Sequence, residues 1–274
     1  MSLRDQRIQV FEDTLTFIDY NKKLSESVEY SINHTNVFYE DDYPVFDTKQ
    51  NRPMRLSVTH ERTFESAIRL HKENSDSKIA VMNFANAFHP GGGVAKGSGA
   101  QEESLCRCST LYPVLTQRSL KEDFYNYHRD YDSSKATDSL IYSEKILICK
   151  TDEDIPQRFN EADFVPVDVI TVAAPDLRDE SDRYENDSMT DAELFGYHVK
   201  RAIHVLTVAA SKDVDILVLG AFGCGAFAND PSVVANAYKT ALSVFPKAFD
   251  QVVFAVYTPE SNTENFDVFK KVIC

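Results

Sequence analysis

Lys78-Ile79-Ala80-Val81-Met82-Asn83-Phe84, then Gly91-Gly92-Gly93, then Gln101-Glu102-Glu103: the reading of this chain turns on that stretch. Its first part is a short apolar run flanked by polar residues, the pattern of a buried strand. Three consecutive glycines follow. Each loses more backbone entropy on folding than any other residue would, so the run needs a use: positive φ, or bare backbone pressed against something. Two carboxylates close behind suggest a ligand held by peptide amides while a Glu acts on it as acid or base. Ser98-Gly99-Ala100-Gln101 fits a capping box, with Ser98 as N-cap and Gln101 at the third helical position. The helix it opens runs through Leu105 towards Tyr112-Pro113. Glu102 and Glu103 then lie early in that helix, where successive side chains diverge by about 100°. Taken alone, they could simply be favourable charge in a first turn, worth ~0.3–1 kcal/mol.

A second module has the same build. Residues 214–219 read as a strand running into Gly220-Ala221-Phe222-Gly223-Cys224-Gly225-Ala226-Phe227, and Asp230 caps a helix over 231–245 with Pro231 in its first turn. In open α/β sheets, ligands sit beyond the carboxyl ends of strands, at such loops. One glycine loop would suggest no more than a tight turn; two on comparable strand ends, one with a carboxylate pair, point to a ligand. Neither is a P-loop, and the second lacks the third glycine of a dinucleotide fingerprint.

Outward from these modules, Phe11, Leu15 and Ile18 form one stripe of a helix over 6–20. Residues 28–40 and 54–61 read as extended, and 63–71 as a helix. A helical stretch follows at 121–130, paired strands at 140–149 and a strand at 167–173. The acidic loop 175–190 lacks a calcium-loop pattern and reads as solvated. A long amphipathic helix at 194–210, a strand at 251–258 and a closing helix at 266–272 complete the chain. Strands alternating with helices predict an α/β sandwich with a largely parallel central sheet.

At 274 residues and 43% hydrophobic, the chain has ample material for one large domain or two small ones. No run is long and apolar enough for a membrane helix, and the N-terminus does not resemble a secretory signal. A net charge of −14 disfavours direct binding of nucleic acid or an anionic membrane, so an anionic ligand must be held by local amides. Five cysteines (Cys106, Cys108, Cys149, Cys224, Cys274) make an odd count without a disulfide framework and favour the cytoplasm. Cys106 and Cys108 have the wrong spacing for structural zinc; all five read as packing residues. His89, before Pro90 and the glycines, reads as a surface histidine.

Taken together, these motifs resemble the bacterial-type poly(ADP-ribose) glycohydrolases, a macrodomain-related family. The resemblance rests on the triple glycine, the spacer and Gln101-Glu102-Glu103, and it extends further. Asn83-Phe84-Ala85-Asn86 before Pro90 resembles the first ligand loop, and Ile141-Tyr142-Ser143 the Tyr-Ser strand. Gly220 through Phe227 with Asn229-Asp230-Pro231 resembles the diphosphate loop. Asp176 departs from the pattern, which has Asn there. The resemblance implies a single macrodomain-like, three-layer α/β/α domain over 1–274, with 1–60 as a helical N-terminal extension and 61–274 as core. It implies ADP-ribose or poly(ADP-ribose) as ligand, ADP-ribosylated macromolecules as partners, and neither cofactor nor metal. Glu103 would be the acid and then the base of glycosidic hydrolysis, and Glu102 would hold a substrate hydroxyl. Asn86, Gly91, Gly92, Gly93 and Gln101 would form one side of the ligand site. Gly223, Cys224, Gly225, Ala226 and Phe227 would form the other, with adenine near residues 254–257. The implied reaction is cleavage of ribose–ribose O-glycosidic bonds, exo-acting because a long polyanion is repelled by this surface. Removal of mono-ADP-ribose from protein or nucleic acid, and non-catalytic ADP-ribose binding, are the alternatives.

Overall fold

The structure, a computed structural model, describes residues 1–48, 53–131, 133–178 and 189–274. Along the chain, α1 (Leu3–Tyr20) and α2 (Lys22–Asn33) precede β1 (Thr35–Phe38), β2 (Arg55–Thr59), α3 (Thr63–Glu73) and β3 (Ile79–Ala85). The short helices α4 (Gln101–Cys108), α5 (Leu111–Leu115), α6 (Arg118–Leu120) and α7 (Tyr127–Tyr131) come next. They are followed by β4 (Leu140–Ile148), β5 (Val165–Ala173), α8 (Asp191–Ser211), β6 (Ile216–Leu219), α9 (Pro231–Leu242), β7 (Gln251–Ala255) and α10 (Glu264–Ile273).

The strands form one sheet in the order β1-β4-β5-β3-β6-β7-β2. From β5 through β2 every pairing is parallel, while β1 and β4 are antiparallel to their neighbours. Buried on both faces, the inner parallel strands β5, β3, β6 and β7 carry near-continuous apolar runs, while β2 at the edge does not. Period-two alternation splits each run between two cores. Ala80, Met82, Leu217, Leu219, Val252 and Phe254 face the layer of α8, α9 and α10. Ile79, Val81, Ile216, Val218 and Val253 face the opposite layer, with Phe11, Phe64, Leu70 and Leu105 from α1, α3 and α4. The result is the expected three-layer α/β/α sandwich with a mixed, largely parallel sheet.

Several local expectations need correcting. Residues 28–33 are not extended: they complete α2, whose buried face is Leu24, Ser27 and Ser31. Only 35–38 of the expected 28–40 segment is a strand. Residues 140–148 form one strand, not a pair, and its register shifts between Ser143 and Ile146, where Lys145 takes φ +56°. The helix expected to run from 101 towards 113 breaks at Ser109, whose hydroxyl donates to Leu105 O. The stretch at 121–126 winds as a wide π-helical segment before α7. Cys106, Cys108 and Cys149 are packed in the core, but Cys274 is exposed. Of the acidic loop 175–190, residues 179–188 lie outside the described residues.

The parallel strands deliver their carboxyl ends to one edge of the sheet. That edge is where the two glycine loops meet.

Candidate active site

A cavity of about 690 Å³ opens at this edge, within the usual range for ligand sites of about 300–1,000 Å³. Its wall includes Phe84 near the end of β3 and Asn86 just after it, Ala174 after β5, Ala221 through Gly223 and Gly225 through Phe227 after β6, and Val256 and Tyr257 after β7. The N-terminal turn of α4 closes it with Gln101, Glu102 and Glu103. Both glutamates are buried, at 3% and 8% exposure, in spite of their charge.

The two carboxylates are held differently. Glu102 accepts from Asn86 N at 2.8 Å, from Gly91 N at 3.2 Å and from Asn83 Nδ2 at 3.4 Å, so both of its oxygens are engaged. Glu103 Oε1 accepts from Gly93 N at 2.9 Å, and its Oε2 is buried with no partner. Burial pushes the Glu102 carboxyl up to about 8; the Asn86 N–H opposes that shift and the charge of Glu103 adds to it. The neighbours flank one peptide. A Cβ on Gly92 would lie 2.5 Å from Glu103 Oε1 and 3.1 Å from Glu102 Oε2.

This geometry corrects the role read for the triple glycine. The amides of Gly91 and Gly93 donate to the carboxylates, and that of Gly92 donates to His89 O. They orient the acids and are not left for a ligand. Gly92 has φ +56° and Gly91 φ +70°, backbone that bulkier residues resist. Gln101 is the first residue of α4, not the third. The N-cap is Ala100 without a side-chain bond, and Ser98 packs instead against Gly93. The Gln101 amide ties α4 to the sheet: Oε1 accepts from Phe84 N, and Nε2 donates to Met82 O and Thr63 Oγ1.

The loop after β6 leaves several of its amides free. Gly223, Gly225, Ala226 and Phe227 line the cavity, and their amides donate to no group among the described residues. Such amides at a strand end suit a phosphate or diphosphate. Cys224 is not on the wall; its side chain packs towards the core beneath the loop. Of the residues read as an adenine wall, Phe254 is fully buried in the core, whereas Val256 and Tyr257 reach the cavity. His89 is exposed.

Sequence reasoning missed the charged rim. Arg7 of α1 and Arg62 before α3 both reach Asp154 Oδ1, at 3.2 and 3.0 Å, and the Arg62 guanidinium stacks 4.3 Å over Tyr257. Buried Asp152 accepts from Ser104 Oγ and from Phe64 N, and burial raises its carboxyl. Arg178 pairs with Asp176 and lies over the Phe227 ring at 5.3 Å. Each of these arginines is already paired with a carboxylate, so the rim is charged without being a net positive patch. The only hint in sequence was indirect: Gly97 and Gly99 stand where Arg4 and Arg7 press against the backbone before α4.

The family model for the microbial-type PARG catalytic domain matches residues 9–151, which include the first glycine loop, the carboxylate pair and Asp13 through Lys150. The chain belongs to the microbial-type poly(ADP-ribose) glycohydrolase family. It is 28% identical to the poly(ADP-ribose) glycohydrolase of Thermomonospora curvata, covering 97% of this chain and 99% of that one, with a TM-score of 0.85. The same enzyme bound to the inhibitor ADP-HPD superposes with a TM-score of 0.83 at 28% identity, over 97% and 98% of the two chains. The glycohydrolase of Deinococcus radiodurans in complex with ADP-ribose is 33% identical over 89% of this chain and 95% of that one, at a TM-score of 0.77. No curated protein sequence matches the chain. Family membership makes the protein a glycohydrolase-type enzyme and agrees with a cavity built from two strand-end loops and a carboxylate pair.

Proposed function

We propose that the protein hydrolyses the ribose–ribose O-glycosidic bonds of poly(ADP-ribose) and releases ADP-ribose one unit at a time from a chain end. The observation that carries the mechanism is the contrast between the two acids: both oxygens of Glu102 are tethered, while Glu103, a residue of the cavity lining, keeps one oxygen without a partner. Glu103 gives its proton to the departing 2′-oxygen of the neighbouring unit as positive charge develops on the distal ribose. The resulting carboxylate takes a proton from the attacking water. One residue thus serves both halves of a reaction that most glycosidases divide between two. Glu102 fixes the loop through Asn86 and Gly91, and burial keeps its own carboxyl protonated. The free amides after β6 hold the diphosphate, and Asn86 lies beside the distal ribose. The N-terminal extension contributes Arg7 to the wall. ADP-ribosylated macromolecules are the partners this reading implies, and five free cysteines suit the cytoplasm.

The pH dependence has a definite sign. The Glu102 carboxyl, raised from 4.5 to about 8, stays protonated where an unfolded glutamate would ionise. Stability linked to it is complete below about pH 4.5 and is lost as pH rises through about 8. Ionisation of Glu102 would put a second buried charge on the loop that positions Glu103, so kcat/KM is expected to fall on the alkaline side with a midpoint near 8. Initial rates across a pH series read this directly; a flat profile through pH 9 would show that the protonation of Glu102 does not govern the rate.

Chain-end action is tested with size-defined, end-labelled oligomers. Monomeric ADP-ribose should dominate from the first minutes. Early products mainly longer than one unit would contradict it, and release only from mono-ADP-ribosylated protein would reassign the substrate.

A further inference from the structure

The loop after β6 has a pronounced polarity. The carbonyls of Gly220, Ala221, Gly223, Cys224, Gly225 and Phe227 all accept hydrogen bonds from within the protein. The amides of Gly223, Gly225, Ala226 and Phe227 donate to none of the described residues. A loop that turned carbonyls to the cavity would repel an anion; this one turns them away.

One side chain gathers much of that arrangement. Asn229 is 2% exposed, and the two protons of its Nδ2 are shared among Pro175 O at 2.7 Å, Phe227 O at 3.0 Å and Gly223 O at 3.2 Å, the last two of which also accept from the Leu177 and Asn229 backbone N–H. It thereby joins the loop after β5 to both ends of the loop after β6. The opposite end of the amide, Oδ1, lies 2.8 Å from Nε2 of His198 on α8. Nδ2 must donate to carbonyls, so Oδ1 faces the histidine, and the histidine must donate. This fixes the tautomer with the proton on Nε2. Nδ1 is buried without a partner, which a lone pair tolerates better than an N–H would. Burial holds the ring neutral, with a pKa down to about 4; the bond to Asn229 opposes that shift and the charge of Arg201 adds to it.

We propose that His198 and Asn229 are positioning residues for the diphosphate of the ligand: His198 locks the orientation of the Asn229 amide, and the amide sequesters loop carbonyls so that the amides of Gly223, Gly225, Ala226 and Phe227 face the anion. Neither side chain touches the ligand. The inference rests on the reading of this loop as the diphosphate site.

Three variants test it: His198→Phe, which fills the space without a donor, His198→Gln, which keeps one, and Asn229→Asp, which replaces the donor with a carboxylate beside three carbonyls. Calorimetry with ADP-ribose, and with adenosine as a phosphate-free probe, should show His198→Phe weakening ADP-ribose by about tenfold or more, the order expected when one buried polar arrangement is lost. Adenosine should be nearly unaffected, His198→Gln should stay within about threefold of the wild type, and Asn229→Asp should lose the most. In kinetics the loss should fall on KM rather than kcat. Imidazole ¹⁵N shifts of the unliganded protein should show the proton on Nε2. Equal loss of both ligands in His198→Phe, undiminished ADP-ribose binding in that variant, or a proton on Nδ1 would overturn the proposal. If Asn229→Asp does not fold, the two His198 variants and the nitrogen shifts still decide the question. Failure of the wild type to bind ADP-ribose would instead remove the reading beneath it.

Discussion

Glu103→Gln is expected to lower hydrolysis of poly(ADP-ribose) by about 10³-fold or more, the range set by loss of a positioned general acid. Affinity for ADP-ribose should change only a few-fold. The amide oxygen can still accept the Gly93 N–H that now reaches Glu103 Oε1 at 2.9 Å, so the local fold survives. What disappears is the proton at the position of Oε2, the one carboxylate oxygen of the pair that is buried without a partner. The measurement is released ADP-ribose in single-turnover conditions, with calorimetry on the same sample. Full loss of binding alongside activity would mean that Glu103 anchors the ligand, and retained hydrolysis would move the acid elsewhere. Glu102→Gln should behave differently. Its amide nitrogen would face at least one of the N–H donors from Asn86, Gly91 and Asn83, so thermal stability should fall together with rate.

The second large effect is expected from Gly92→Ala. The new methyl would sit 2.5 Å from Glu103 Oε1 and 3.1 Å from Glu102 Oε2, at a φ of +56°. Both acids must move, and displacement of a catalytic group by about 1 Å can cost ~10²-fold in rate. Backbone strain should add a stability loss of ~1–3 kcal/mol. Gly196→Ala is the control. That glycine lies on the exposed face of α8 with nothing within 4 Å of an added Cβ, so the substitution should leave the rate unchanged and stabilise by ~0.5–1 kcal/mol. Thermal unfolding and kcat on both variants separate strain from damage to the site. A Gly92→Ala protein with wild-type kcat would show that the glycine does not set the geometry of the acids.

The sheet and its two loops were legible because their signals are local. Residues 79–82 and 216–219 are apolar without interruption, and a glycine-bearing loop lies beyond each strand. The carboxylate pair was legible from its place in a first helical turn and from the family motif. Elements built on weaker local contrast were not. α2 buries Leu24 with Ser27 and Ser31, so its inner face carries little apolar signal, and its segment after residue 28 read as extended. The bulge in β4 takes a positive φ at Lys145, a residue type that gives no warning of one.

Roles that depend on long-range pairing were harder still. Ser98-Gly99-Ala100-Gln101 has the spacing of a capping box, yet the Gln101 amide is drawn to Phe84, Met82 and Thr63, and Arg107 takes Ser98 O. The glycine amides looked available to a ligand, but tertiary folding returns Gly91 and Gly93 to the two glutamates. Arg7 meets Asp154, and Asn229 meets Pro175 and His198, across wide gaps in sequence that close only when the layers pack. The second loop kept its expected character because its carbonyls have partners elsewhere.

The most direct test of the central claim is a crystal structure of the Glu103→Gln protein with a two-unit ADP-ribose fragment bound. The side chain at position 103 should lie within about 3.5 Å of the oxygen joining the two riboses, a near-attack distance, with Glu102 still bonded to the Asn86 and Gly91 amides. A joining oxygen against Glu102, or one out of reach of position 103 while the diphosphate lies on the loop after β6, would contradict it.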